Sequence, residues 1–450
     1  MNERSPRRFQ AEDPFHSSDQ QEDKGKRNME NVVILSCART PIGAYGGSLR
    51  NVPVYRLGSL VLQEAVKRAK VDPALVEDVI MGSAYQNGEC ANGARMAVLD
   101  AGWPETVPGV VLDRRCCSGL ESIFWGVMKI QTGNADIVIA GGMDSMSQGE
   151  LYIPGDIKWG LGGKKHEKYG FMPRGHGALA MWGIPIYDRI QRARVMSQPI
   201  HRYGELSSMM AWAETAAKME KVTREEADRW SLRSHQRAIA AQEAGKFKKE
   251  IVPVPVGKGE AGEPVYFDTD EGPRRETTLE KLAKLKPVFK GGVCTAGNSS
   301  SENDGAAVVV LVSEKKAKQL GAKPLATFRS CAVSATDPTT TYPAVPASVN
   351  KALGKIGMNL KQMDLIEVQE AFAVQCIADA RLAGLSDKEM DAKVNVNGSG
   401  ISLGHPIGAT GTMRLTTLLN EMQRSDLRFG LETICGGGGQ GICLIVERKQ

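Results

Sequence analysis

The 450-residue chain contains no apolar run of eighteen residues or more, which argues against a transmembrane helix. It also lacks a strong charge imbalance. A formal net charge of +5 over this length points to neither nucleic acid nor a membrane surface as a partner. The nine cysteines form an odd set without metal-ligand spacing, and the only adjacent pair, Cys116 and Cys117, matches neither a zinc knuckle nor a CxxC redox pair. Reduced thiols in the cytoplasm are the expectation. Histidine is scarce: of six, only His405 follows His235. Low-complexity sequence is confined to residues 1–28, which mix Arg, Asp, Glu, Gln and Ser with little that is apolar. They read as a disordered tail, not a signal or transit peptide, with Met29 as the natural start.

What is present, 42% hydrophobic and 24% charged residues, suffices for two or three domains with buried cores. Short apolar runs alternate with helical patterns at both ends, predicting layered α/β structure with largely parallel sheets. The ends echo each other. Val32-Val-Ile-Leu-Ser, Asp78-Val-Ile-Met-Gly and Asp136-Ile-Val-Ile-Ala-Gly-Gly are matched by Leu325-Ala-Thr-Phe-Arg, Asp364-Leu-Ile-Glu-Val and Gly430-Leu-Glu-Thr-Ile-Cys-Gly-Gly, as a duplicated α/β unit requires. Between them, in the region from about 150 to 288, the clearest helix begins at the capping box Thr223-Arg-Glu-Glu226. It buries Ala227, Trp230, Ser234, Ala238 and Ala241 and stops at Gly245.

Cys116 sits where Val107-Pro-Gly-Val-Val-Leu112 gives way to a helical pattern, so Cys116-Cys-Ser-Gly-Leu120 reads as a strand-to-helix turn bearing a thiol. A helix N-terminus favours the thiolate through its dipole and free N–H groups. An arbitrary cysteine is more often a buried small hydrophobe. In the duplicated register, Ile401-Ser-Leu-Gly-His405 follows Val394-Asn-Val as the turn equivalent to that of Cys116, which places a histidine beside the thiol in a shared cleft. Cys435 ends a strand and enters four glycines, where some need φ > 0 and others let backbone N–H groups reach a ligand oxygen.

In their order, Cys116-Cys-Ser-Gly-Leu120, Gln369-Glu-Ala-Phe372, Gly404-His-Pro406 and Cys435-Gly-Gly-Gly-Gly-Gln-Gly441 resemble the thiolases, CoA-dependent acyltransferases that make or cleave 3-oxoacyl-CoA. Ala38-Arg-Thr-Pro-Ile-Gly43, Ala140-Gly-Gly-Met-Asp-Ser-Met-Ser147, Phe247-Lys-Lys-Glu-Ile-Val252 and Thr295-Ala-Gly-Asn298 extend the resemblance from Met29 to Gln450. It implies a duplicated layered α-β-α-β-α fold with an inserted loop domain. The halves would be 29–150, completed by about 289–315, and 316–450, and the loop domain, 151–288, would cover CoA.

Carried over by position, Cys116 would be the acylated nucleophile, His405 its activator, and Cys435 the acid/base at the substrate α-carbon or the leaving thiol. One oxyanion hole would use the N–H groups of Cys116 and Gly437, the other His405 with a water held by Gln369. Arg274 would meet the nucleotide end of CoA; Ser300, Ala296, Phe289 and Met209 fall where pantetheine lies, with Phe372 beside them. Arg274 also reads as a surface arginine, and Phe289 and Phe372 as core residues. CoA and acyl-CoA enter as substrates, with no permanently bound cofactor and no metal. Family enzymes are usually homodimers or homotetramers, and a small accessory subunit stays open.

The chain departs from the family pattern at Gln369, where Asn is usual, at Ser208-Met209-Met210, where His-Met-Gly is usual, at Asp113 in place of Asn, and at Cys117, read as a tolerated small side chain. The stretch from Leu151 to Leu206 is long and carries Trp159, Phe171, Met172, Met181 and Trp182. These either pack the loop domain or shape a pocket for a branched or aryl acyl group. Two alternatives to an active thiolase stand beside it: a ketoacyl-carrier condensing enzyme, which wants a second C-terminal histidine that is lacking, and an inactive scaffold or partner subunit.

Overall fold

The computed structural model describes residues 29–155, 165–166, 170–171, 185–205 and 208–449. The expectations for residues 1–28 and for Trp159, Met172, Met181 and Trp182 lie outside that range; Phe171 falls in a two-residue strand, Gly170–Phe171. No helix among the described residues is long and apolar enough to cross a membrane.

Nine strands carry the architecture: β1 Val32–Arg39, β2 Asp78–Gly82, β3 Gly109–Leu112, β4 Ile137–Ser145, β5 Asn303–Ser313, β6 Ala326–Ala335, β7 Leu365–Val368, β8 Phe429–Gly436 and β9 Gln440–Glu447. They run in the order β7-β8-β9-β6-β1-β5-β4-β2-β3, and the short strand Gly43–Ala44 pairs with β5. The same arrangement runs outward in both directions from the central pair β6 and β1. In the first half β1, β5 and β4 pair antiparallel, and β2 and β3 continue in parallel. In the second half β6, β9 and β8 pair antiparallel and β7 continues in parallel, followed by a single parallel bridge from Ile366 to Val394. Within the sheet, two antiparallel residue pairs join the halves, Val33 with Thr327 and Ile34 with Ala326.

The duplication expected from the apolar runs is therefore present, but the sheets are mixed and not largely parallel. The tight turn after Gly436, with Gly438 and Gly439 at positive φ, returns β9 directly alongside β8, and such a hairpin can only be antiparallel. Likewise Val394-Asn-Val contributes one bridge and not a strand. Asn395 adopts φ 51°, and its side chain takes the N–H and C=O of Val368 that a neighbouring strand would have used.

The helices include α1 Val54–Ala69, α2 Ser118–Gln131, α3 Met209–Met219, α4 Arg224–Glu243, α5 Ala344–Gly354, α6 Ala373–Leu382 and α7 Thr410–Arg424. Helices α2 and α7 lie in the middle, each touching strands of both halves, while α1 covers the first half and α5 the second. The central layer packs very closely. A Cβ on Gly142 of β4 would sit 2.0 Å from the carbonyl oxygen of Gly408, just before α7, so only glycine lets that turn rest on the sheet.

Helix α4 begins at the expected capping box on Thr223 and buries the expected Ala227, Trp230, Ser234, Ala238 and Ala241. Together with α3 it packs on α6. The region between β4 and β5 is also tied to β1. Buried Arg39 donates to Glu250 at 2.8 Å and forks onto both oxygens of Asp270 at 2.8 and 3.0 Å.

Candidate active site

Cys116 lies between β3 and α2, as its turn predicts. Arg115 is held at φ 53°, where the Asp113 carboxylate accepts its N–H at 2.6 Å; the turn thereby throws Cys116 inward. Asp113 thus has a clear local use. The helix-terminus argument is outweighed in one respect. Burial pushes the Cys116 thiol above its ordinary value, and the Arg115 guanidinium and the N–H groups of Gly437 and Cys116 oppose that only in part. The resting sulfur is a thiol in need of a base. Cys117 is a core residue, fully buried with its sulfur 3.5 Å from the Ile434 carbonyl.

His405 sits on the equivalent turn before α7. Its backbone N–H donates to Asn303 at 2.8 Å, and its Nδ1 is 2.7 Å from the Thr410 hydroxyl, so Nε2 is the nitrogen left for chemistry. Burial lowers its pKa to about 3, helped by the cationic fields of Arg414 and Arg194, so the ring is neutral and able to accept a proton. Gly404 precedes it at φ 105°, ψ 174°, a region open essentially to glycine alone. The Gly404 carbonyl accepts from Arg414 at 2.9 Å. Cys435 ends β8, is buried, and has its pKa raised well above the usual thiol range by burial and then by Cys116.

These elements converge. Cys116, His405, Cys435 and Gly437 line one cavity of about 710 Å³. Met209, Ala296, Ser300, Phe372 and Arg274 line it as well. Phe372 stands edge-on to Trp212 with ring centroids 5.3 Å apart. Ser208 caps α3 by accepting the Met210 N–H, and it lines the cavity with Met209 and Met210. Arg274 also lines a second cavity of about 630 Å³, which shares Ala296 and Ser299 with the first and adds Lys281 and His235.

Two candidates stand apart. Phe289 lines neither cavity. Gln369 is fully buried behind the site; its Oε1 accepts from Arg414 at 3.4 Å, and its Nε2 has no hydrogen-bond partner among the described residues.

Several supporting residues were not singled out from sequence. Asp144, inside the quoted Ala140–Ser147 segment, accepts from Ser83, Ala84, Tyr85 and Gly408 and so fastens the two halves together beside the cavity. Glu370 accepts from Trp230 and Ser234 of α4 and from the Ile401 N–H. Asn303, Thr410 and Arg414 set the His405 turn. The signal available for Asp144 and Glu370 was a carboxylate embedded in an otherwise apolar or small-residue run.

Comparison with known proteins agrees with this geometry. Residues 32–315 match the family model "Thiolase, N-terminal domain" and residues 322–448 match "Thiolase, C-terminal domain". An acetyl-CoA acetyltransferase of Pseudomonas aeruginosa is 41% identical over 423 residues, covering 93% of this chain and 100% of that protein. A probable acetyl-CoA acyltransferase of Staphylococcus aureus is 37% identical over 421 residues, covering 93% and 100%. Among solved structures, the acetyl-CoA acetyltransferase of Bacillus anthracis superposes with a TM-score of 0.83 at 40% identity, covering 94% of this chain and 99% of that one. Human mitochondrial 3-ketoacyl-CoA thiolase gives 0.82 at 34% identity, covering 93% and 99%.

Proposed function

The chain belongs to the thiolase family of acyltransferases, and from that premise we propose that it cleaves or forms a 3-oxoacyl-CoA through an acyl-enzyme on Cys116. In the cleaving direction, His405 Nε2 takes the Cys116 proton as sulfur attacks the 3-oxo carbon. The C2–C3 bond then breaks, the departing enolate takes a proton from Cys435, and acetyl-CoA leaves. The thiol of a second CoA gives its proton to the Cys435 thiolate as its sulfur attacks the Cys116 thioester. The expelled Cys116 thiolate recovers its proton from His405, and the shortened acyl-CoA departs. Cysteine suits both halves because its thiolate attacks and leaves as readily as that of CoA.

The convergence of Cys116, His405 and Cys435 on one cavity carries this reading. The N–H groups of Cys116 and Gly437, both residues of the cavity wall, suit the negative oxygen of the acyl intermediate. With no partner for it among the described residues, Gln369 Nε2 suits a donor to a water, and Arg414 ties that side chain to the Gly404 carbonyl next to His405. Arg274, with Lys281 nearby, suits the phosphates of CoA, while Met209, Ala296, Ser300 and Phe372 suit pantetheine.

A cavity of about 710 Å³ with Trp212, Phe372, Met146 and Ile407 in its wall supports an acyl group bulkier than acetoacetyl, branched or aryl included. The exposed edge strand β3, with Val110, Trp125 and Met128 left exposed nearby, supports a homo-oligomer.

The test is CoA-dependent cleavage of straight, branched and aryl 3-oxoacyl-CoAs, with intact-mass detection of the acyl-enzyme. Wild-type protein is expected to gain one acyl group and Cys116→Ala none. An acylated Cys116→Ala protein refutes the nucleophile assignment, and failure across the whole panel refutes the activity.

A further inference from the structure

One wall of the cavity carries an arginine that the acyl-transfer chemistry does not use. The short helix Arg189–Val195 brings Gln191, Arg192 and Arg194 to that wall, next to Tyr187. Its buried Ile190 packs in one cluster with Ala84, Tyr85 and Met146, against which Ala193 and Ile407 also rest, so the helix is seated beside the turns that carry Cys116 and His405.

The two arginines are in different situations. Arg194 is neutralised, with Nη2 2.7 Å from the Glu302 carboxylate and Nη1 3.3 Å from Gln191 Oε1. Arg192 is not. Its guanidinium lies 4.7 Å from the centroid of the Tyr187 ring, and among the described residues it has neither a carboxylate nor a hydrogen-bond partner. The acids that line the cavity are both occupied. Asp188 caps the helix by accepting the Ile190 and Gln191 N–H groups, and Glu302 is taken by Arg194 and Gln191.

A half-buried guanidinium, set over an aromatic ring and lining a largely apolar cavity, with no partner for its donors among the described residues, matches a carboxylate in charge and in fork geometry. The phosphates of CoA are a poor account of it. Arg192 and Tyr187 line the first cavity only, whereas Lys281 and His235 line the second and Arg274 lines both.

We propose that Arg192 receives a carboxylate borne by the acyl group, so that the preferred substrate is the CoA thioester of a 3-oxo dicarboxylic acid, its free acid end held against the Tyr187 wall. This rests on the thiolase reading and names the substrate class for it.

Equilibrium binding tests the proposal apart from turnover. Full-length protein carrying Cys116→Ser is titrated with adipyl-CoA and with hexanoyl-CoA, which share chain length and differ in a terminal carboxylate. Adipyl-CoA is expected to bind about tenfold or more tightly, as a charge-assisted pair supplies. Adding Arg192→Met is expected to reduce that preference about tenfold, and Arg192→Lys to keep part of it. Arg192→Gln serves in place of the methionine variant should that one fail to fold.

Equal binding of the two thioesters overturns the proposal, as does a preference that survives loss of the guanidinium. Equal weakening of both thioesters by Arg192→Met also overturns it, because the arginine then meets CoA itself. Failure of the thiolase reading looks different. Wild-type enzyme would then cleave neither 3-oxoadipyl-CoA nor 3-oxohexanoyl-CoA, whatever the binding preference.

Discussion

Replacing Gly404 by alanine is expected to damage stability and acylation together, and the size of each loss follows from the turn. At φ 105°, ψ 174° an L-residue is strained by about 1–3 kcal/mol. The new Cβ would also lie 2.6–2.7 Å from the carboxamide atoms of Asn303, inside any real contact distance. Asn303 cannot move freely, because its Oδ1 accepts the His405 N–H at 2.8 Å and its Nδ2 donates to the Gly43 carbonyl at 3.0 Å. Displacing it strands a buried donor or acceptor at about 1–3 kcal/mol. The sum is about 2–6 kcal/mol of folding stability. A shift of His405 by about 1 Å lowers the acylation rate by about a hundredfold.

Denaturant titration reads the first effect and single-turnover acyl-enzyme formation the second. A double-mutant cycle with Asn303→Ser separates backbone strain from collision, with a coupling of about 1 kcal/mol or more expected if the two side chains truly collide. A Gly404→Ala protein within about 0.5 kcal/mol of wild type and acylating at nearly the wild-type rate refutes the reasoning.

Four further outcomes are expected. With His405 held at about 3, kcat/KM for acylation shows no acid limb near the ordinary histidine value of about 6.5; Arg414→Gln removes a cationic field and moves the limb upward, which a pH profile of both proteins checks. The same depression makes the unfolded chain bind a proton that the folded chain refuses between about 3 and 6.5, so this group's contribution is complete above that window and is lost as pH falls through it, readable by denaturant titration across pH. Cys435→Ala should leave Cys116 acylation largely intact while suppressing exchange of the substrate α-proton, measured by deuterium incorporation; exchange at the wild-type rate refutes its role. Arg39→Met leaves Glu250 and Asp270 buried without their cation and is expected to cost about 3–5 kcal/mol by denaturation.

The duplicated sheet was legible because buried strands are written as short apolar runs, and Asp78-Val-Ile-Met and Asp364-Leu-Ile-Glu do mark equivalent strands, β2 and β7. The α4 helix was legible down to its cap because its signals are local. What escaped was set by distant parts of the chain. Nothing near Cys116 in sequence shows that the Gly437 turn lines its cavity, or that burial outweighs the helix terminus in setting its proton affinity. The antiparallel centre of each half-sheet and the Asn395 side chain replacing a strand depend equally on partners far along the chain. Gln369 was visible as an oddity, but its pairing with Arg414 was not.

The place of β5 in the sheet has a consequence for how the protein is made. Asn303 of β5 bonds to Gly43, 260 residues earlier, and β5 separates β1 from β4. A ribosome adding about 5–20 residues per second needs roughly 13–52 s to cover that distance. β1 waits through that whole interval, and β4 from its own synthesis onward, without the strand that joins them, each a nascent apolar edge open to pairing with a neighbouring chain. The yield of native protein in the cell therefore depends on what shelters those edges while synthesis catches up, and slower translation or higher expression should favour aggregates over enzyme.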